Sequence, residues 1–561
     1  MYLRETKRRN KDGSVVRYLQ LAHSIWDTAK QRSQTQIIYN FGRADQLDRA
    51  VLVRLCRSIA RLCDIDIVDT SAIARDLPEE VGLPDGLVLV GATEYGIVYL
   101  VEQLCQTLGI TAILHRLAQQ HGVNDTIVTA IIALLANRLH RPTSKRGVYL
   151  RWLDEVHAPQ AAALGRNAFY HALDFLHEHA DAIEHDVFFA VADLFNLEVD
   201  LVFYDTTTAA FTVDDPDDDG PRQRGRNKAG GYKVQVVVAL AVTRQGIPVR
   251  SWVLPGNTAD VATITQVRSD LRGWKLSRVV LVADAGMDSA DNRAELARAC
   301  GRYVLAVRAG SLSEVQSEVL SRPGRYQQVS DNLRVKEVVV GDGARRRRYI
   351  VCHNPQQEAR QKAHRAEVIA ELEETLSARG EARTDRKWVA QLRASQRYGR
   401  YLRVSKGGKV RIDRGAVRRA SRLDGKWVLL TNDDTLSAMD TALAYKGLMV
   451  IEGCFRSLKS ARIELEPLHH RLEARIGGHV KLCVLALLLQ RVIELRGELP
   501  YGQVLPLLRQ LKAAHFQTPT HNFWHLNQVP SRLQALFNKL DIPRPAEIVD
   551  IQERAEDPDE A

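Results

Sequence analysis

Three carboxylates stand at positions where the sequence predicts the ends or middles of regular elements. Asp205 interrupts the β-branched and aromatic run VDLVFYDTTTAAF, Asp284 closes the apolar run SRVVLVADAG, and Glu452 lies in the predicted helix AYKGLMVIEGCFRSLKS. Two strands and one helix that bring three carboxylates together can hold two Mg²⁺ ions, because hard divalent cations prefer carboxylate oxygen. Two such ions about 3.5 to 4 Å apart activate a water or a 3′-hydroxyl and stabilise the leaving oxygen of a phosphodiester.

The expected metal ligands are therefore Asp205, Asp284 and Glu452, with Asp205 bridging both ions and the other two each holding one. Mg²⁺ is the expected cofactor, and Mn²⁺ is the alternative ion. Taken one at a time these residues are weak signals, because a lone Asp at the end of a strand is more often part of a turn. The hypothesis depends on the set of three.

The predicted helix over 444–460 adds two further candidates. Tyr445, Glu452 and Lys459 are spaced by seven residues, two turns of an α-helix, so one continuous helix would project all three from nearly one face. Leu448 and Phe455 lie beside that face and would anchor it to a core. The alternative is an ordinary amphipathic helix whose Glu and Lys are solvated.

One more residue of this helix carries a charge that could contact a substrate. Arg456 lies one turn after Glu452, where it would reach a phosphate; a surface ion pair is the alternative.

Composition limits the class of protein. At 561 residues the chain is too long for one core, so we expect roughly three to five domains. The net charge of +10 and sequence pI near 9.2 favour a polyanionic partner, with ordinary basic composition as the alternative. Seven Cys without a C-x-x-C pair predict buried, reduced thiols. No apolar signal segment follows the basic N-terminus, and the longest apolar run is too short to span a bilayer, so we expect a cytoplasmic protein.

Shifts in composition divide the chain into six regions, and the order β–β–β–helix–β–helix around Asp205 and Asp284 indicates an α/β fold with a mixed sheet. The predicted regions are a small β-rich module plus helix (1–80), a helical, DNA-binding region (85–195), a first core segment (196–302), a basic inserted domain of strands plus a helical segment (303–425), a second core segment (426–495) and a C-terminal helical region with an acidic tail (496–561).

The segments YDTTT, VADAGMDSADN and YKGLMVIEGCFRSLK resemble the DDE transposases of bacterial insertion sequences, in particular the group with a Tyr-x2-Arg-x3-Glu-x6-Lys signature. Tyr445, Glu452 and Lys459 match this spacing, while Leu448 stands at the Arg position. The resemblance implies an RNase H-like core, a mixed sheet flanked by helices, that is interrupted by a largely β insertion. It also implies contacts from Tyr445 and Lys459 to the phosphates at the transposon terminus.

The same resemblance implies cut-and-paste transposition through hairpin intermediates. In such a reaction Trp427, in the predicted strand before the helix, would stack on a flipped base and, with Arg456, contact DNA; the alternative is a core residue, as most Trp residues in strands are. The expected partners are double-stranded DNA, both terminal inverted repeats and target, and a second copy of the chain in a homodimeric synaptic complex. Such a protein would associate with the nucleoid when it is bound to DNA. Two alternatives remain open at this point: another two-metal nuclease of the same fold, and a catalytically inactive DNA-binding relative.

Overall fold

A computed structural model describes residues 2–9, 15–27, 32–43 and most of 87–554. The gaps within the last range are 198–199, 264–266, 268, 271–273, 275–279, 288, 290–291, 295–301, 308–313, 380–383 and 461. The chain divides into two compact units, Met1–Asp85 and Gly86–Ala561, and each is treated by itself below.

The first unit contains a three-stranded antiparallel sheet in the order β1–β2–β3. Its strands are β1 (Tyr2–Arg9), β2 (Val15–Asp27) and β3 (Arg32–Arg43). All three strands lie within the predicted N-terminal β module. The helix and acidic linker predicted further along this unit lie outside the described residues.

The second unit begins with a strand and then becomes helical. Its first elements are β4 (Val88–Glu94), α1 (Gly96–Thr107), α2 (Ile110–Gln120), α3 (Thr126–His140), α4 (Ala168–Glu178) and α5 (Ala180–Leu194). Helices α1 and α2 bend by 71° at Gly109, whose φ of +72° is a conformation that glycine adopts at no steric cost. Apart from β4, the long elements over 85–195 are helices.

A ten-stranded mixed sheet forms the centre of the described part of this unit, in the order β11-β12-β13-β16-β10-β9-β5-β7-β6, with β8 also paired to β7. Its strands are β5 (Leu201–Ala210), β6 (Gln223–Arg226), β7 (Tyr232–Thr243), β8 (Pro248–Pro255), β9 (Val280–Ala283), β10 (Arg302–Val307), β11 (Gln327–Ser330), β12 (Leu333–Val340), β13 (Arg347–His353) and β16 (Lys426–Thr431). Strands β5, β9 and β10 run parallel, whereas their neighbours on both sides run antiparallel. Strand β7 is buried from Val234 onward, as its uninterrupted apolar run predicts for a strand covered on both faces.

The region over 303–425 differs from the predicted largely β insertion. Strands β11 to β13 extend the main sheet through pairing with β16, because β16 returns beside β10 and leaves an edge for β13. The rest of the region is mostly helical. It contains α6 (Pro355–Arg379), α7 (Arg386–Ala394) and α8 (Arg414–Ser421), with the short hairpin β14 (Leu402–Val404) and β15 (Val410–Ile412).

Three helices cover one face of the sheet: α9 (Ala438–Lys446), α10 (Met449–Lys459) and α11 (Glu473–Gly497). Helix α11 is the described helix whose length and composition alone would suit a membrane span, but 89% of its apolar window is buried inside the protein. A side chain on Gly478 would clash with the carbonyl of Leu173. Gly478 therefore allows α11 to pack closely on α4 in the core.

The C-terminal region is not the helical region that the sequence predicted. Helices α12 (Tyr501–Leu508) and α13 (Ser531–Lys539) alternate with β17 (Lys512–Gln517), β18 (His521–Leu526) and β19 (Ile548–Glu553). These strands form an antiparallel sheet with β4, in the order β19-β18-β17-β4. Pairing between β4 and β17 joins segments more than 400 residues apart, and local periodicity carries no signal for it. The predicted acidic tail lies largely beyond the described residues.

Candidate active site

Asp205 and Asp284 are neighbours across two parallel strands. The pairing of β5 with β9 joins Tyr204 to Ala283, so the two aspartates occupy the next position on each strand. Side chains alternate between the faces of a sheet, and both aspartates share the face of Phe203 and Val282, which belong to the core beneath α10 and α11. The two parallel strands thus bring these two carboxylates to adjacent positions in the sheet.

Asp205 is partly withdrawn from water, with 26% of its side chain exposed. Its Oδ1 accepts a hydrogen bond of 2.7 Å from the backbone N–H of Thr206. Burial raises the pKa of Asp205; the Lys228 ammonium opposes this shift, while the nearby carboxylates of Asp260 and Asp284 add to it. The site thus holds several negative charges close together with one cation among them.

Sequence reasoning missed Lys228 and Asp260, which complete the surroundings of Asp205. The Lys228 ammonium donates to the carbonyl and hydroxyl oxygens of Thr206, both at 2.6 Å. It also lies 3.6 Å from a carboxylate oxygen of Asp205 and 3.6 Å from one of Asp260. The Thr206 hydroxyl in turn donates to Asp260. The available signal was the polar turn PGNTAD, whose last residue is Asp260.

Tyr445 lies beside the second aspartate. Its hydroxyl donates a hydrogen bond of 3.0 Å to Asp284 Oδ1. Burial raises the pKa of Tyr445, and the negative charges of Asp284 and Glu452 raise it further, so the phenol stays protonated and remains a donor. Tyr445 is therefore a direct hydrogen-bond partner of one of the candidate metal ligands.

The predicted continuous helix over 444–460 is wrong. It is divided into α9, which carries Tyr445, and α10, which carries Glu452 and Lys459, with a tight turn at Gly447 and Leu448. Leu448 N–H donates to Tyr445, and Val450 N–H to Gly447, three residues back instead of four. A side chain at Gly447 would clash with the ring of Phe203, so β5 and the turn approach more closely than a regular helix with side chains would permit.

Glu452 lies on the exposed side of α10, between contacts that fix both ends of the helix pair to the sheet. Tyr445 reaches Asp284 at one end, and the Lys459 ammonium donates to the Thr208 carbonyl at 2.6 Å at the other. Within the described part of the chain, no hydrogen bond or ion pair involves the Glu452 carboxylate. The Glu452 carboxylate is near enough to Tyr445 for its charge to raise the pKa of the phenol.

The remaining candidates have different surroundings. Lys459 pairs with Glu466 at 3.2 Å in addition to its contact with Thr208, so it is engaged inside the protein. Arg456 is exposed, and Leu448, at the Arg position of the signature, is 9% exposed and belongs to the core. Trp427 lies in β16, two strands away from β9, and is half-buried against the core. Its Nε1 has no hydrogen-bond partner among the described residues.

The carboxylates do not yet form a closed metal site. Among the described residues, no group of three or more His, Cys, Asp or Glu side chains is close enough together to hold an ion. Two aspartates lie side by side, the third carboxylate is exposed on a helix above them, and a lysine and a tyrosine contact the aspartates. Such a set can bind the charged backbone of a nucleic acid and support reactions at phosphorus.

Comparison with known families covers both units. Residues 205–489, just over half of the chain, match the model of the transposase DDE domain, and this match begins at Asp205 and includes Asp284 and Glu452. Residues 3–72 match the N-terminal domain of IS1634 family transposases. A search of curated proteins gave no match. Together, the two family matches show that the chain belongs to the DDE transposases of insertion sequences.

Proposed function

We propose that the chain cuts DNA at the inverted repeats of its element and joins the freed ends to target DNA, in a Mg²⁺-dependent cut-and-paste reaction that passes through hairpins. The observation that carries this proposal is the side-by-side placement of Asp205, in the middle of β5, and Asp284, directly after the parallel strand β9, on the face covered by the helix of Glu452. Double-stranded DNA is the partner, and the reaction takes place in the cytoplasm at the nucleoid.

The order of the strands supports an RNase H-like core. Within the large sheet, the series β8-β7-β5-β9-β10 has three antiparallel strands followed by two that run parallel to β5. Asp205 is on the first strand of this series along the chain, and Asp284 follows the fourth. Helices α10 and α11 then cover the face toward which both aspartates point. Strands β11 to β13 and helices α6 to α8 make up the insertion between Asp284 and Glu452.

The side chains suit hard divalent cations by their chemistry, because Asp205, Asp284 and Glu452 supply only carboxylate oxygens. The exposed Glu452 has no partner in the described chain, and the two aspartates are adjacent, so these three residues are the proposed ligands. When bound, two such ions would polarise the scissile phosphate and lower the pKa of the attacking water or hydroxyl. Among the described residues these three carboxylates are not close enough together to enclose an ion.

The residues around the carboxylates would bind the DNA end. Tyr445 and Lys459 are the proposed phosphate contacts, and Arg456 on the exposed side of α10 adds a cation within the same reach. Lys459 must exchange its contacts with Glu466 and Thr208 for such a role. Trp427 is the proposed stacking residue of the hairpin step. Two copies of the chain would bring two ends together as a homodimer.

The variant Glu452→Ala tests this function. We expect it to abolish both end cleavage and strand transfer while binding of terminal-repeat DNA survives, because the Glu452 carboxylate is exposed and makes no hydrogen bond or ion pair with a described residue. Glu367→Ala, which removes an exposed glutamate from α6, is the matched control and should retain both activities.

The outcomes also separate the alternatives. Cleavage without strand transfer in the unaltered protein would favour a two-metal nuclease. Binding of terminal repeats without any metal-dependent cleavage would favour a catalytically inactive relative. Persistent cleavage by Glu452→Ala would show that the assignment of this ligand is wrong.

A further inference from the structure

An open groove of about 730 Å³ lies on the β7 side of Asp205. It runs between the hairpin of β6 and β7 and the polar turn that precedes Asp260. We call it the hairpin groove. The side chains that matter here are those of Arg224, Arg226, Lys228, Tyr232, Asn257 and Asp260.

The walls of the hairpin groove are held by buried polar contacts. Asn227, 5% exposed, donates from Nδ2 to Gln235 Oε1 at 2.9 Å, and Gln235, 1% exposed, donates from Nε2 to the Gly256 carbonyl at 2.9 Å. A side chain on Gly225 would clash with that same carbonyl. Because satisfied buried networks are rigid, the hairpin and the turn are fixed relative to each other before any ligand arrives.

The hairpin groove carries positive charge at the end that lies away from Asp205. Arg226 is exposed, and in the described part of the chain its guanidinium makes no hydrogen bond or ion pair. Arg224 pairs with Asp214 at 2.7 Å, but both side chains are about half exposed or more, and exposed pairs of this kind contribute little. A phosphate can therefore reach both arginines without breaking a strong contact.

The hairpin groove also presents an aromatic ring to solvent. Tyr232 is 71% exposed, at the start of β7, immediately after Gly230 and Gly231, which have φ of +108° and +74°. Within the described residues its ring has no aromatic neighbour and its hydroxyl no hydrogen bond. An exposed aromatic ring beside cations is the combination with which proteins bind unpaired nucleotides, since bases stack on the ring and phosphates contact the cations.

The hairpin groove leads to the catalytic carboxylates. Lys228 belongs to its lining, and the Lys228 ammonium lies 3.6 Å from Asp205 Oδ1. The backbone N–H of Lys228 donates to the Thr208 hydroxyl, on the same strand as Asp205, at 3.2 Å. A strand lying in the groove would thus enter the site beside Asp205, on the opposite side from Trp427.

We infer that the hairpin groove binds an unpaired DNA strand next to the scissile phosphate, with Tyr232 stacking on a base and Arg226 and Arg224 contacting phosphates. This inference rests on the proposed function, because it assumes that DNA is the substrate. It places a base-stacking residue at Tyr232, which is far more exposed than the half-buried Trp427.

Binding measurements without metal test the groove independently of catalysis. The full chain is titrated in EDTA with three fluorescein-labelled DNAs: a single strand, a blunt duplex, and a duplex with a single-stranded overhang. Tyr232→Ala should weaken binding of the single strand and the overhang at least about fivefold, while the blunt duplex is unaffected. Tyr232→Phe keeps the ring and should bind as the unaltered protein does.

The arginine variants test whether the charge of the groove contributes to DNA binding. Arg226→Ala should lower the slope of log affinity against log salt by about 0.7 for the single strand. Arg544→Ala, which removes another exposed arginine, is the matched control and should leave that slope unchanged. The inference is overturned if Tyr232→Ala binds all three DNAs normally, if it loses blunt duplex equally, or if Arg544→Ala matches Arg226→Ala.

These outcomes are distinct from a failure of the proposed function. Loss of stacking in Tyr232→Ala would support the groove even if the protein cleaved no terminal repeat. Conversely, normal strand transfer together with unaltered single-strand binding by Tyr232→Ala would overturn the groove and leave the transposase assignment intact.

Discussion

The Lys228 ammonium lies 3.6 Å from Asp205 Oδ1, and the same nitrogen lies 3.6 Å from Asp260 Oδ2. One cation therefore stands between Asp205, a proposed metal ligand, and a second carboxylate. Two hydrogen bonds to Thr206, both of 2.6 Å, hold it there. In the DNA-free chain, the lysine partly neutralises the negative charge that would otherwise attract divalent cations.

Replacing Lys228 with Gln should therefore strengthen the binding of Mn²⁺ to the DNA-free protein. The lysine side chain is 39% exposed, so solvent screens its charge and the expected gain is about 1 kcal/mol, or about fivefold in affinity. Isothermal titration calorimetry with Mn²⁺ measures the change directly. Lys233→Gln, which removes an exposed lysine a few residues away on β7, serves as the control. Unchanged or weaker Mn²⁺ binding by Lys228→Gln would contradict the prediction.

Tyr445→Phe should reduce cleavage of transposon ends by about tenfold, as expected from the loss of about 1 to 1.5 kcal/mol from one hydrogen bond at the site. The variant removes the hydroxyl that donates to Asp284 at 3.0 Å and leaves the ring in place. Rates of end cleavage at saturating DNA give the measurement. Tyr398→Phe removes a similar Tyr–carboxylate hydrogen bond, of 2.8 Å to Glu371, away from the sheet. Equal loss of cleavage in both variants would mean that the effect arises from the fold rather than from the site.

The sequence was sufficient to predict the parts of the site that depend on local pattern. Asp205 and Asp284 end or interrupt apolar runs, so their strands and their common edge of the sheet could be inferred. Lys228 and Asp260 could not, because their approach to Asp205 depends on the hairpin and the turn folding back across β7. No spacing between residues in the sequence indicates that contact.

In the fold as well, the elements that depend on local pattern could be predicted and those that depend on distant contacts could not. The N-terminal antiparallel module and the helices after β4 follow from periodicity and were predicted. The sheet of β4 with β17 to β19 was missed, because it pairs strands from opposite ends of the second unit. The break between α9 and α10 was missed because Gly447 retains helical backbone angles; what divides the helix is its contact with Phe203, which only the folded chain reveals.

Gly447→Ala should destabilise the protein by about 1 to 3 kcal/mol and impair end cleavage, because the added methyl group overlaps the Phe203 ring on the strand of Asp205. Gly453→Ala is the matched control within α10, since nothing lies within 4 Å of its added methyl group. It should stabilise the helix by up to about 1 kcal/mol. Unfolding in denaturant and cleavage rates measure both effects. The explanation of the turn fails if the two variants behave alike.

Acid should destabilise the protein through two neighbouring histidines, the buried His479 of α11 and the half-buried His470 just before that helix, whose ring centroids lie 5.7 Å apart. Burial lowers the pKa of His470 to about 3, and Lys145, Arg475 and His469 add to the shift. Burial and the charge of Lys145 also lower the pKa of His479 well below its usual range. His479 Nε2 donates to the Leu465 carbonyl at 3.2 Å. Its Nδ1 is therefore unprotonated and accepts a hydrogen bond of 2.8 Å from the Lys145 ammonium.

The sign of the effect follows from where each state binds protons. Between about pH 6.5 and about pH 3 these histidines are protonated in the unfolded chain and neutral in the folded protein. The free energy of unfolding therefore has its full value above about pH 6.5 and falls as the pH is lowered. The midpoint of thermal unfolding should therefore be lower at about pH 5 than at about pH 7.5. His470→Asn should reduce this difference, whereas His364→Asn, on the exposed surface of α6, should retain it. An unaltered protein that unfolds at the same temperature at both pH values would contradict the assignment, because protons taken up only by the unfolded chain must shift the equilibrium.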